Sequence, residues 1–224
     1  ISGTGTVTIA ATATVNDGSI ALAAASTIVG TAVDLTGATI SGGTGTVDIS
    51  TDPITTTVDL SNITAGTLTF GGDTTVVVTS PGALTLSAAH ADGKTISGTG
   101  TVAVTALEGT LDADLNAITA TTVTAAFDST GTPTVLTAAD WGTATVNVSG
   151  TGNVTIASGA TVNTATIALA SSSTITGAAA DLTGATISGG TGTVAVTALE
   201  GDLDADLDAI TANTVTAAFA SDAS

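Results

Sequence analysis

Residues Thr95–Phe127 read TISGTGTVAVTALEGTLDADLNAITATTVTAAF, and the part from Thr99 onward returns almost unchanged as Thr191–Phe219. Only three of the 29 shared positions differ: Thr110 becomes Asp202, Asn116 becomes Asp208 and Thr121 becomes Asn213. Apolar residues fall on every second position (Val102, Val104; Leu111, Ala113, Leu115; Val123, Ala125, Phe127), with Thr, Asp and Asn between them. This is strand periodicity, with one face buried and one wet. Gly-Thr-Gly and Leu-Glu-Gly interrupt it, so the stretch is a set of short strands joined by tight corners.

The repeat extends outward. Ile1–Val47 aligns without gaps to Val148–Val194, 147 residues later, with 35 of 47 positions identical. Beyond Val194 the chain follows the text after Val102 instead. Such exchange at unit boundaries is tolerated where each unit touches only its neighbours. Starting a coil at each outward Thr or Ser that precedes an inward aliphatic residue gives Ser19, Thr39, Thr67, Thr95, Thr122, Thr145, Thr166, Thr186 and Thr214. The expectation is an all-β, right-handed parallel β-solenoid (β-helix) of about eight to ten coils of about 20–28 residues. It forms one continuous domain over 1–224, with the long repeat at 1–147 and a partial second copy at 148–224, as a slice of a longer chain. Immunoglobulin-like sandwiches are the rival, but they need a buried Trp or Tyr in each domain, and this chain has one Trp and no Tyr.

Composition agrees. The 52 Thr, with Val and Ile, form a β-branched excess that favours strand over helix. With three Phe and no Met or Cys, the core has to be thin and aliphatic. Asp52-Pro53 and Ser80-Pro81-Gly82 mark corners, since Pro cannot donate to an interior ladder. His90–Lys94, HADGK, is expected to be a polar turn whose counterpart is Asp140-Trp141-Gly142, with Trp141 plugging a corner. No apolar run is long enough for a transmembrane helix.

Nineteen acids against Lys94 alone give a net charge of −18, which makes nucleic acid and acidic membranes poor partners. Asp202, Asp204, Asp206 and Asp208 alternate with Leu203, Ala205 and Leu207, so their carboxylates share one outward face about 6.8 Å apart. The earlier copy keeps Asp112 and Asp114. Asp204, Asp206, Asp208, Asp112 and Asp114 are therefore the candidate metal ligands, for a hard cation such as calcium. A solvated acidic face explains the same row. Two such carboxylates could flank a glycosidic bond, but exposed strands do not set two acids' pKa values apart. With no Arg, one Lys and one His, the chain lacks the cationic and basic groups of most catalytic sites, and no enzyme is expected.

The candidate binding residues are the outward pairs Thr67/Thr69, Thr122/Thr124 and Thr214/Thr216. Stacked in two columns they would form a flat Thr array, like the ice-binding face of some antifreeze proteins. The segments GTGTVxV, DLxAITAxTVT and ADGKTISGTG resemble the β-strand repeats of very large secreted bacterial surface proteins, adhesins and surface-layer-like proteins among them. That resemblance implies an extracellular or cell-surface location, filaments, coats or stalks, and dependence on calcium. The expected function is structural, part of a fibre, stalk or surface layer that self-associates end to end along the solenoid axis. The alternative is an adhesin module binding a surface, polysaccharide, mineral or ice.

Overall fold

Threonine followed by an aliphatic residue begins most strands, because a β-branched side chain suits the pleated edge while its neighbour turns inward. The computed structural model describes residues 4–10, 13, 15, 18–50, 53–71, 75–107, 113–127, 134–136, 139–148, 153–162, 164–170, 172–199 and 205–220. The described chain is an all-β parallel β-solenoid of about eight turns. Its Cα framework divides into two units, Ile1–Thr105 with Ala117–Val123, and Ala106–Asn116 with Thr124–Ser224.

The first unit carries β1 (Thr6–Thr8), β2 (Ser19–Ala21), β3 (Thr27–Gly30), β4 (Thr39–Ser41), β5 (Thr46–Ile49) and β6 (Thr57–Asp59). It continues with β7 (Thr67–Thr69), β8 (Thr75–Val77), β9 (Ala83–Ser87), α1 (Ala88–Ala91), β10 (Thr95–Ser97) and β11 (Thr101–Thr105). Its parallel ladders run β1-β3-β5-β7, β2-β4, β8-β10 and β6-β9-β11. Strand β12 (Thr122–Ala126) leads into the second unit, with β13 (Thr134–Leu136), β14 (Thr145–Val148), β15 (Asn153–Ile156) and β16 (Thr166–Leu169). It ends with β17 (Thr174–Ala178), α2 (Ala179–Leu182), β18 (Thr186–Ser188), β19 (Thr193–Leu199) and β20 (Thr214–Phe219). There the ladders are β12-β14-β16-β18 and β13-β15-β17-β19-β20.

Like stacks on like. In the first unit Ile28 faces Val47 and Val47 faces Leu68, while Ile20 faces Ile40 and Ile40 faces Ile63. In the second, Ala125, Val146, Ile167 and Ile187 form one inward column, and Val154, Ile175 and Val194 another. Most of these side chains are fully buried, which is the favourable term holding each coil to the next.

The corners follow from sterics. In Thr39-Ile40-Ser41-Gly42, Thr95-Ile96-Ser97-Gly98 and Thr186-Ile187-Ser188-Gly189, the glycine has φ of 124°, 117° and 117°. A Cβ there would lie 2.1, 2.2 and 2.6 Å from the carbonyl oxygens of Leu22, Val78 and Leu169, so only glycine fits.

Two coils carry a short helix instead of a plain turn. Helix α1 and helix α2 occupy equivalent positions, so HADGK has its counterpart in Asp181–Ala185, and not in Asp140-Trp141-Gly142 as expected. Asp140 lies opposite Asp114 and Thr161, in a different corner. Alanine-rich AAHA and AADL supply enough helix propensity for one turn, a signal that the turn residues Asp92 and Gly93 masked in the sequence.

The expected coil starts hold from Ser19 to Thr39 and from Thr145 through Thr166 to Thr186. They fail elsewhere: Thr67, Thr95 and Thr214 lie opposite Thr46, Thr75 and Thr193, and Thr124 rather than Thr122 lies opposite Thr145. Several turns, such as those with β4 and β5, β16 and β17 or β18 and β19, hold two strands that both begin with Thr and an aliphatic residue, and the sequence reading joined starts from different ladders. The residue before the Thr tells many of them apart. It is Gly5, Ser26, Gly45 and Gly66 along β1-β3-β5-β7, but Ala144, Ala165 and Ala185 along β14-β16-β18.

Candidate functional site

The outward surface consists of threonine columns, aspartate corners and one cationic turn. In the first unit Thr6, Thr27, Thr46 and Thr67 stand in one column. In the second, Thr124, Thr145, Thr166 and Thr186 form one column, and Asn153, Thr174, Thr193 and Thr214 another. Parallel pairing spaces their members by about 4.8 Å. The neighbouring outward columns are mixed: Thr8, Val29, Asp48, Thr69; Ala126, Asn147, Ala168, Ser188; Thr155, Thr176, Ala195, Thr216.

The three predicted pairs therefore do not share one array. Thr67/Thr69 end the ladder of β7. Thr122 donates its N–H to Gly100 O within the first unit, Thr124 opens a column of the second, and Thr214/Thr216 lie on β20. Thr69 is also engaged, its hydroxyl donating to Asp48 Oδ1 at 2.7 Å, which accepts from Gly71 N–H as well at 3.0 Å. The sequence reading missed Thr27, Thr46, Thr174 and Thr193. The small residue preceding each (Ser26, Gly45, Ser173, Gly192) is the signal that would have found them, because that position is crowded: a Cβ on Gly45 would lie 2.8 Å from Leu22 Cβ.

The acids have a local job. Asp59 Oδ1 accepts from Ser61 N–H at 2.9 Å and from the Ser61 hydroxyl at 2.6 Å. Asp114 Oδ1 accepts from Asn116 N–H at 2.9 Å, Asp140 Oδ1 from Gly142 N–H at 2.9 Å, and Asp208 N–H donates to Asp206 Oδ1 at 3.2 Å. Each is an Asx turn, in which a carboxylate holds the N–H two residues ahead as a strand bends into a corner. Of the predicted metal ligands, Asp206, Asp208 and Asp114 are exposed, and Asp204 and Asp112 lie outside the described residues. Among the described residues no three Asp, Glu, His or Cys side chains come together as an ion would require.

His90 and Lys94 work as coil staples. The buried His90 places Nε2 3.0 Å from Ala65 O, so Nε2 carries the hydrogen, and in the neutral ring Nδ1 accepts from the Ser87 hydroxyl at 3.0 Å. Lys94 Nζ donates to Leu68 O at 3.2 Å. Both satisfy carbonyls of the same neighbouring coil. Trp141 is fully buried and meets Phe127 edge-on, ring centroids 5.8 Å apart at 72°. Its Nε1 has no acceptor among the described residues.

No helix among the described residues is long and apolar enough to cross a membrane. Comparison with protein-family models, with curated proteins and with solved structures finds no match to this chain.

Proposed function

We propose that this chain is a structural element of an extracellular fibre, stalk or cell-surface layer, built by the stacking of β-coils. The observation that carries this reading is the in-register parallel ladder. Each coil offers the next the same row of N–H and C=O groups and the same inward aliphatic column, so adding a coil repeats a contact already made. Repetition of one contact without closure gives a filament. The acidic outer face repels sideways neighbours and keeps growth axial. Electron microscopy with sedimentation tests the reading: rods that lengthen with protein concentration are expected, and a monomer at every concentration and salt would refute it.

A second reading rests on the exposed column Thr145, Thr166 and Thr186, whose regular spacing suits an ordered surface such as ice, a mineral or packed polysaccharide. Substituting Thr166 by Tyr should abolish adsorption to such a surface while leaving the fold intact.

A further inference from the structure

One corner is built three times. Thr31–Gly37 (TAVDLTG), Ser87–Gly93 (SAAHADG) and Ala178–Gly184 (AAADLTG) each turn the chain through seven residues that end on a glycine, with φ of 72°, 63° and 74°. The fourth position is aspartate in two of them, Asp34 and Asp181, and in the third it is His90, the chain's single histidine. The first position is Thr31, Ser87 and Ala178 in turn. Since Ala178 begins the corner without a hydroxyl, the turn itself does not need one.

The two hydroxyls are used differently. Thr31 Oγ1 accepts from Asp34 N–H at 3.2 Å and donates to Asp34 Oδ2 at 2.5 Å, closing the turn on itself. Ser87 stands at the start of α1, yet its side chain makes no capping bond there. Its hydroxyl donates instead to His90 Nδ1 at 3.0 Å. The ring cannot swing away, because it is only 8 % exposed and its Nε2–H is held by Ala65 O of the neighbouring coil at 3.0 Å. That bond also fixes the tautomer and leaves the Nδ1 lone pair facing the serine. Thr105 stands opposite Ser87 on β11, but its hydroxyl turns to Leu86 O at 3.3 Å. Ser87 itself is half-buried on the outward side of β9, within reach of a reagent from solvent.

A nucleophile bonded to a base, with the base oriented by a third group, is the arrangement that activates a hydroxyl. We propose that Ser87 is an acyl-accepting nucleophile for small activated esters or thioesters, with His90 as its general base and Ala65 O holding that base in place. Oγ attacks the acyl carbon while its proton passes to Nδ1. The bond from that carbon to the leaving oxygen or sulfur then breaks, and the proton moves from Nδ1 to the leaving group. The products are an ester at Ser87 and a free alcohol or thiol. Between the two transfers the ring is positively charged, and the Ala65 carbonyl dipole stabilises it. A half-buried oxygen admits only a small donor.

The test treats the whole 224-residue chain with p-nitrophenyl acetate, quenches in acid and locates the acetyl groups by peptide mass mapping. Ser97 is the internal reference: it is half-buried on β10, and it has no share in the imidazole, whose two nitrogens are taken by Ser87 and Ala65. Acetylation of Ser87 should outpace that of Ser97 about a hundredfold or more, the size of a general-base contribution. Ser87→Ala should remove this adduct, and His90→Gln should lower its rate by a similar factor. Equal rates at Ser87 and Ser97, acetyl on Lys94 alone, or a Ser87 rate unchanged in His90→Gln each overturn the proposal. The comparison of the two serines needs no variant, so it decides the matter even if His90→Gln loosens the coil.

Discussion

Aspartate recurs at the corners because its carboxylate reaches the N–H two residues ahead, a bond that Asn can copy and Ala cannot. Asp59 makes two such bonds, to Ser61 N–H and to the Ser61 hydroxyl. Asp59→Ala should therefore lower stability by about 1 kcal/mol, read from the urea midpoint, and Asp59→Asn should recover most of it. Charge and geometry separate at Asp140, which keeps an Asx turn yet stands directly across the ladder from Asp114. Like charges facing each other on adjacent strands repel. Asp140→Asn should raise the melting temperature at low salt, and the gain should fade at high salt as screening replaces it. Spacing in the sequence put the acids outward. It did not show that the side-chain oxygens hold their own backbone, because an Asx turn depends on where the strand stops, and the alternation runs on through Asp206-Leu207-Asp208 without a mark.

Among the elements, the two short helices show how one packing problem is solved twice. In β17 the inward Gly177 leaves room for Leu182 of α2, and a Cβ there would lie 3.0 Å from Leu182 Cγ. Gly30 and Leu35 repeat the arrangement, with a Cβ 3.1 Å from Leu35 Cδ1. In β9 and α1 the sizes are exchanged: Leu86 fills the strand position, Ala91 the helix position, and both are fully buried. Volume is conserved while its source moves. Leu182→Ala alone should cost about 2–5 kcal/mol through the cavity it leaves, and Gly177→Leu alone should overpack. The double variant should be more stable than either, a coupling that chemical denaturation of the four proteins would measure. The alternation Thr-Ile-Thr-Gly made the strands plain in the sequence. The choice of ladder was not, because Thr-Val at Thr46 and Thr-Ile at Thr39 look alike until neighbouring coils are superposed.

At the scale of each unit, stability comes from thin aliphatic columns, so a single misplaced charge has nowhere to relax. Leu115 is buried and Thr101 turns outward. Leu115→Asp should lower stability by about 3 kcal/mol or more and Thr101→Asp by about 0.5 kcal/mol or less, compared in one thermal melt. The solenoid itself was legible, because a period of two broken by glycine at short intervals fits few other architectures.

The parallel ladders place every coil-to-coil hydrogen bond along the direction of stacking, as where Thr46 N–H reaches Ser26 O and Thr166 N–H reaches Ala144 O. Tension applied along that direction loads one interface of a unit in tearing, not all of them in shear. A unit pulled between its ends in a force spectrometer should pay out in small, even steps. With Thr145 opposite Thr166 and Thr166 opposite Thr186, each step releases 20 or 21 residues of chain. A unit built this way should lengthen under load in place of a single rupture, and should rewind from whichever coil still stands.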